Sequence, residues 1–446
     1  MAVNLQAGAA SIDWTPSHSF HLAGYPHVER FSTGVNDPLL ASALCIAQGT
    51  STIALVSVDI LFVTHAMARR IRSRLDTALG LPADHVLLAA THTHSGPMVT
   101  EHFPTPGKPT LPPSEPAIIQ QCEDAVVRAV CDAHAAMVDA EAACVIADAT
   151  GVGTNRRDPA GPHNPEAPLL VLRRADDQQP LAALTVCSMH PTVLHEDSTL
   201  ISGDFPAFAR QYLQKHGLGE QTPVLYFTGA AGNQSPRHVT QANTFDEARR
   251  LGEMLGQRLV QAMDNLTWQA QLPLTCQSTE ITLPARSLPT PDEAAQRLTA
   301  AAAHLDELRR KRAPRAQVRT AEVDWFGAER TQAMVNAAAA GLLEAAIAER
   351  TPTEIQLITL GSWTFVAWPG EVFVEFALAV KAQHPEVHVI TYANGENKGY
   401  MVTREAAEEG GYEASSALFA NPDSGEMLVR ATLEQLQSVE VGKGER

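Results

Sequence analysis

The chain has 446 residues and a formal net charge of −17, and aromatic residues make up only 5% of it. An acidic surface lacks the basic patch that nucleic acid or an anionic membrane needs, and so few aromatics argue against stacking platforms or a membrane belt. No window reaches the run of about eighteen apolar residues that a membrane span requires. The start, Met1-Ala-Val-Asn-Leu-Gln6, has no basic stretch followed by an apolar one, so a cytoplasmic protein with no transmembrane segment is expected. The six cysteines, Cys45, Cys122, Cys131, Cys144, Cys187 and Cys276, form no Cys-x-x-Cys pair and read as core thiols. The length suits two or three domains, or one large α/β domain with insertions.

Residues 7–60 alternate turns and strand-like runs, with a turn at Gly24-Tyr25-Pro26. Thr52–Ile60 is a continuous apolar run, as expected of a strand covered on both faces. A helix over 65–80 ends at Gly80, and the strand His85–Ala90 leads into Ala90-Thr-His-Thr-His-Ser-Gly-Pro97. Side chains two apart on an extended backbone share a face, and a turn at that point can aim both imidazoles at one centre. A Pro-rich loop over 98–118 is a candidate lid, and a helix is expected over 119–137. Strands Leu169–Leu172 and Leu181–Met189 follow, the second running into His190. Asp204 suits either the N-cap of the next helix or a functional role.

Pro223–Phe227 is a strand leading to the Gly/Ala loop before Ser235, a composition suited to close backbone approach to a substrate. Thr244 with Glu247 and Thr290 with Glu293 read as capping boxes. Helices from Thr290 and over about 328–350 form an expected antiparallel pair with solvated charges. Strands Ile355–Leu360 and Trp363–Ala367 make a hairpin, and Glu371 is expected to open an amphipathic helix running to His384. Val387–Thr391 is the last strong strand, and a final helix covers about 426–438. The fold class is α/β: a mixed β-sheet core flanked by helices, with the helical pair added at about 290–350.

His92, His190, Ser235, Glu371 and Tyr400 all fall just after strand-like runs, where α/β proteins bind ligands. Two imidazoles and a carboxylate with an open position suit a catalytic zinc, which lowers the pKa of its water to about 7 for amide or ester hydrolysis. Each residue also has an ordinary structural use: a core histidine, a first-turn carboxylate, a packed aromatic, a Ser-Pro turn.

Taken together, the chain resembles the N-terminal catalytic domain of the neutral, non-lysosomal ceramidases. The likeness rests on Gly8-Ala-Ala-Ser-Ile-Asp-Trp-Thr-Pro16, Ala23-Gly-Tyr25, Val56-Ser-Val-Asp59 and the Thr-His-Thr-His-Ser-Gly-Pro segment. It continues through Thr154-Asn155-Arg156, His190, Leu200-Ile-Ser-Gly-Asp204, Ala231-Gly-Asn-Gln-Ser-Pro236, Pro369-Gly-Glu371, Tyr400 and Tyr412. It implies one catalytic domain over 1–446 with a helical insertion at about 287–350, and a zinc amidohydrolase of sphingolipid metabolism. It also implies one Zn2+ held by His92, His190, Glu371 and Tyr400. His94 becomes a proton donor or substrate contact, and Arg156 and Tyr412 become carbonyl or oxyanion contacts. Gly24 joins the substrate contacts, and Ser235 is either a nucleophile or a substrate contact. Attack by zinc-activated water is favoured over attack by Ser235, because no histidine is placed as its base.

The sequence departs from the family pattern at Arg157, Asn233, Gln234 and Ala406-Ala407. The expected ligand is a small-molecule amide, with a soluble amide, lactam or ester weighed against ceramide. The alternatives are a zinc esterase or lactonase on the same scaffold, or a non-catalytic binding protein.

Overall fold

The computed structural model describes residues 4–25, 28–100, 114–397 and 399–444. The candidate lid at 98–118 therefore lies mostly outside the described residues. No helix among the described residues is long and apolar enough to cross a membrane.

An eight-stranded mixed sheet runs, edge to edge, through Val224–Thr228, Pro180–Cys187, Glu166–Arg174, Val138–Asp148, Gln6–Asp13, Leu40–Gln48, Ser51–Val58 and Val86–Ala90. A four-stranded sheet has the order Leu274–Ile281, Thr353–Leu360, Trp363–Ala367, Val387–Ile390. The two sheets pack face to face, and helices cover both outer sides. The period-two alternation of a strand explains how one sequence serves both faces. Ala41, Ala43 and Cys45 face the helices His65–Leu79 and Pro116–Ala135, while Leu44 and Ile46 enter the core between the sheets. Leu169 and Val171 meet helices Phe205–Leu213 and Phe245–Ala262, while Leu170 and Leu172 point inward. In the smaller sheet, Ile358 and Leu360 line the shared core, while Ile355 and Leu357 face the helices Val374–Lys381 and Pro422–Gly444. Burial on both faces is why the strands read as unbroken apolar runs.

Three parallel pairs fix where the site forms: Ser51–Val58 with Val86–Ala90, Pro180–Cys187 with Val224–Thr228, and Trp363–Ala367 with Val387–Ile390. Their carboxyl ends meet at one place. There Thr228 Oγ1 donates to Thr91 O at 2.8 Å and Thr391 N donates to Thr228 O at 2.9 Å, tying both sheets together.

Several sequence expectations need correcting. Glu371 does not open a helix. It lies in the two-residue strand Glu371–Val372, paired in parallel with Tyr400–Met401, and the helix begins at Val374. The added helical region has three helices, Pro291–Arg310, Arg315–Ala339 and Leu343–Ala348, instead of two. The Thr290 capping box forms in full. At Thr244 only half of one does, because Glu247 turns to Arg250 and the Gln241 backbone. Asp204 is the N-cap of its helix, accepting from Phe205 N, and it also accepts from Leu194 N at 2.9 Å. The sequence reading missed the strand Val138–Asp148 and the short helices Arg404–Glu409 and Tyr412–Ser416.

Candidate metal centre

The strand Val86–Ala90 ends in a residue of unusual conformation. His92 has φ +66° and is not glycine. This left-handed kink breaks the extended run, and it brings His92 and His94 to one centre. The His92 and His94 Nε2 atoms lie 3.4 Å apart, and those of His92 and His190 lie 3.2 Å apart. The ring nitrogens of His92, His94 and His190 all fall within 4.8 Å of one another. Glu371 Oε2 joins them, 3.1 Å from His190 Nε2 and 3.5 Å from His92 Nε2.

Backbone carbonyls fix the tautomers. His92 Nδ1 donates to Leu61 O at 2.7 Å, and His190 Nδ1 donates to Ala231 O at 2.6 Å. With Nδ1 carrying the proton, each neutral ring turns an Nε2 lone pair toward the other. Two facing lone pairs and a carboxylate need a proton or a cation among them. Burial opposes ionisation of Glu371, but the His190 and His92 rings beside its carboxylate outweigh this and hold its pKa well below the usual carboxylate range. Burial, then the Arg156 charge, lowers His190 to about 4. Burial, with His92 and His190 beside it, lowers His94 well below the ordinary histidine value. Neutral imidazoles beside an ionised carboxylate make a cation-binding set.

The spacing fits a tetrahedral ion: bonds of about 2.0–2.1 Å put ligand atoms about 3.3–3.4 Å apart. The expected ligands His92, His190 and Glu371 therefore do converge, and His94 joins them. Tyr400 is buried alongside, in register with Glu371, with its ring 6.4 Å from that of His190.

The expected substrate contacts line the same place. Arg156 donates to Glu413 at 2.9 Å and lies over the Tyr400 ring at 5.1 Å; its Nη2 is buried with no hydrogen-bond partner among the described residues. Arg157, a departure from the family pattern, pairs with the other oxygen of Glu413 at 3.1 Å, so one carboxylate steadies both guanidiniums. Tyr412 packs against Tyr400 with ring centroids 5.7 Å apart. Ser235 pairs with Thr154 in a short antiparallel bridge, and its Oγ accepts from Arg237 N. No imidazole is hydrogen-bonded to Ser235 Oγ among the described residues. Gly24 has φ +95°, and a Cβ there would lie 2.5 Å from the His94 ring, so Gly24 makes room for that imidazole.

Asn233, the other informative departure, suits its surroundings. Its amide nitrogen donates to both Glu375 oxygens, at 3.0 and 2.8 Å, while its oxygen accepts from Val374 N. An aspartate there would set two carboxylates against each other. The Gly/Ala loop does make a close backbone approach, but to protein. Gly232 N donates to Val372 O at 2.8 Å, and a Cβ on Gly232 would lie 2.6 Å from Glu371 O. Gly232→Ala is expected to push the Glu371 strand away, lowering stability by about 1–3 kcal/mol and weakening metal binding. Thermal unfolding and metal titration check this, and wild-type values in both would contradict it.

Two supporting residues escaped the sequence reading. Arg30 is buried and donates to the carbonyls of Ala23 and His94 at 2.6 Å each, and to Ser198 O at 2.9 Å, with its guanidinium 4.9 Å from the Tyr25 ring. It stitches the His94 loop to two others and leaves no local sequence trace. Tyr392, stacked on His92, does leave one, since it directly follows the run Val387–Thr391 that the sequence marks as the last strong strand, and stands two residues beyond the observed strand end at Ile390.

A mixed α/β scaffold that gathers three imidazoles and a carboxylate at its strand ends has a group that could hold a metal ion. A sequence profile for the neutral/alkaline non-lysosomal ceramidase N-terminal region matches residues 5–240, over half the chain, and the chain belongs to that family. Neutral ceramidases A and B of Dictyostelium discoideum are each 26% identical, over 259 and 256 residues. Each match covers 54% of this chain and 36% of the relative, so the matched region spans about a third of those proteins. The neutral ceramidase of Pseudomonas aeruginosa superposes with a TM-score of 0.73 at 18% identity, covering 97% of this chain and 74% of that one. A ceramidase structure complexed with C2 gives 0.69 at 17% identity, covering 96% and 74%. At such identities the likeness establishes the fold. Glu371, Tyr400 and Tyr412 lie outside the matched 5–240 segment, so their placement rests on geometry.

Proposed function

We propose that the chain is a zinc-dependent hydrolase that cleaves the C–N bond of an N-acyl amide of the ceramide type. The observation carrying this reading is the meeting of the His92 and His190 Nε2 atoms, 3.2 Å apart, with the Glu371 carboxylate 3.1 Å from one of them. Family membership supports the amide bond and favours a lipid over a small soluble amide or lactam.

In this reading His92, His190 and Glu371 hold one Zn2+ with Tyr400 beside them. A bound divalent cation supplies Lewis acidity and acidifies water at neutral pH. His94 shares the centre, but among the described residues no carbonyl fixes its Nδ1, which is buried and unpartnered there. That freedom suits it to carry a proton to the leaving nitrogen. Arg156 and Tyr412 meet the charge that develops on the carbonyl oxygen, with Arg156 held by Glu413 and its Nη2 unspent. Ser235 contacts substrate: its Oγ is held by a backbone N–H with no base beside it.

The test is turnover of ceramide, shorter N-acyl amides and matched esters by metal-free and zinc-loaded protein. Zinc-restored cleavage that favours amides is expected. Failure of every amide with the zinc-loaded chain would remove the reading, and preference for the esters would move it to an esterase.

A further inference from the structure

Tyr392 stands in the centre without a role. Like His92 it is a non-glycine residue in the left-handed region, at φ +57°. Such conformations are strained and persist where the surroundings over-determine them, often at functional sites. Here the two kinked residues face each other: their rings stack 3.9 Å apart at an interplanar angle of 18°. Phe62 packs edge-on against His92 at 5.0 Å and also contacts Tyr392 at 5.9 Å. The Tyr392 carbonyl accepts from Ala90 N at 3.2 Å, and its own N–H points to Gly370 O at 3.4 Å. One residue thus links the strand leading to His92 with the segment leading to Glu371.

Its hydroxyl is the unexplained part. The side chain is wholly buried and its oxygen has no hydrogen-bond partner among the described residues, while Glu371 and Arg156 lie within electrostatic reach. A buried phenol left unpaired is destabilising, so its position among groups proposed to handle the substrate calls for an acceptor that arrives with the ligand.

We propose that Tyr392 is an unassigned member of this site, whose ring fixes the plane of the His92 imidazole and whose hydroxyl donates to the acyl oxygen of the bound substrate. The hydroxyl role rests on the amide-hydrolase reading above; the ring role rests only on the metal centre.

Tyr392→Phe keeps the ring and removes the donor, and Tyr392→Leu removes both. Zinc affinity is read by competition with a chromophoric chelator, and ligand geometry by the visible spectrum of the cobalt-substituted protein. Tyr392→Phe should keep wild-type zinc affinity while kcat/KM for an N-acyl amide falls about 100-fold, as for loss of one oxyanion donor. Tyr392→Leu should also lose about 10-fold or more in zinc affinity and alter the cobalt spectrum. Unchanged kcat/KM in Tyr392→Phe overturns the donor role. Wild-type zinc affinity and cobalt spectrum in folded Tyr392→Leu overturn the ring role, and Tyr392→Met decides it if the leucine variant fails to fold. If the wild type binds zinc but cleaves no amide, the amidase reading falls on its own. An acyl hydroxamate then probes the hydroxyl: weaker binding to Tyr392→Phe supports the donor, and equal binding overturns it.

Discussion

With His92 replaced by alanine, bound zinc is expected to fall from about one per chain to a small fraction, and amide turnover by on the order of 1,000-fold. The His92 ring is the hub of the centre: its Nε2 lies 3.2 Å from His190, 3.4 Å from His94 and 3.5 Å from Glu371. Its loss leaves no three-donor set with both imidazole tautomers fixed. The backbone around it is tied independently, since His92 N donates to Ile60 O and Thr91 N to Val58 O. The variant should therefore fold. Metal analysis and circular dichroism of the purified protein check this, and wild-type zinc content in His92→Ala would place the ion elsewhere.

Arg156→Met is expected to lower kcat by about 100- to 1,000-fold with little change in metal content. The guanidinium is buried, fixed by Glu413, laid over Tyr400, and still has an unpaired Nη2. A donor held in advance near a developing oxyanion acts mainly on the transition state, so kcat should fall more than KM rises. Arg156→Lys should recover little, because an ammonium gathers its donors on one nitrogen and lacks the planar fork that lets a guanidinium hold Glu413 while presenting Nη2 elsewhere in a fixed geometry. Steady-state kinetics with parallel metal analysis decide the matter; a rise in KM alone would reduce Arg156 to ground-state binding.

The sequence made parts of this arrangement legible. Apolar runs marked the strands because sheet residues such as Leu44 and Ala43 are buried on opposite faces, and the residues just beyond those runs included His92, His190 and Glu371. The run could not show how His92 and His94 turn inward together, which follows from a positive φ imposed by surrounding contacts. Glu371 was misassigned because Glu371–Phe376 is apolar enough to read as the start of a helix. Its pairing with Tyr400 is made across the fold and has no local signature. The strand Val138–Asp148 escaped for a different reason: it is rich in alanine and carries acids, a poor strand composition that pairing with Glu166–Arg174 overrides. The helix Arg315–Ala339 begins after Pro314 in a charged stretch, and its first half shows little apolar periodicity.

The cluster draws its members from both sheets: His92 and His190 follow strands of the larger one, while Glu371 follows a strand of the smaller. A cation seated among them would act as a rivet through the sandwich as well as a reagent. Loading it would make the two halves come apart together under heat or denaturant, and stripping it would let them loosen separately, which couples the protein's cohesion to the supply of the ion.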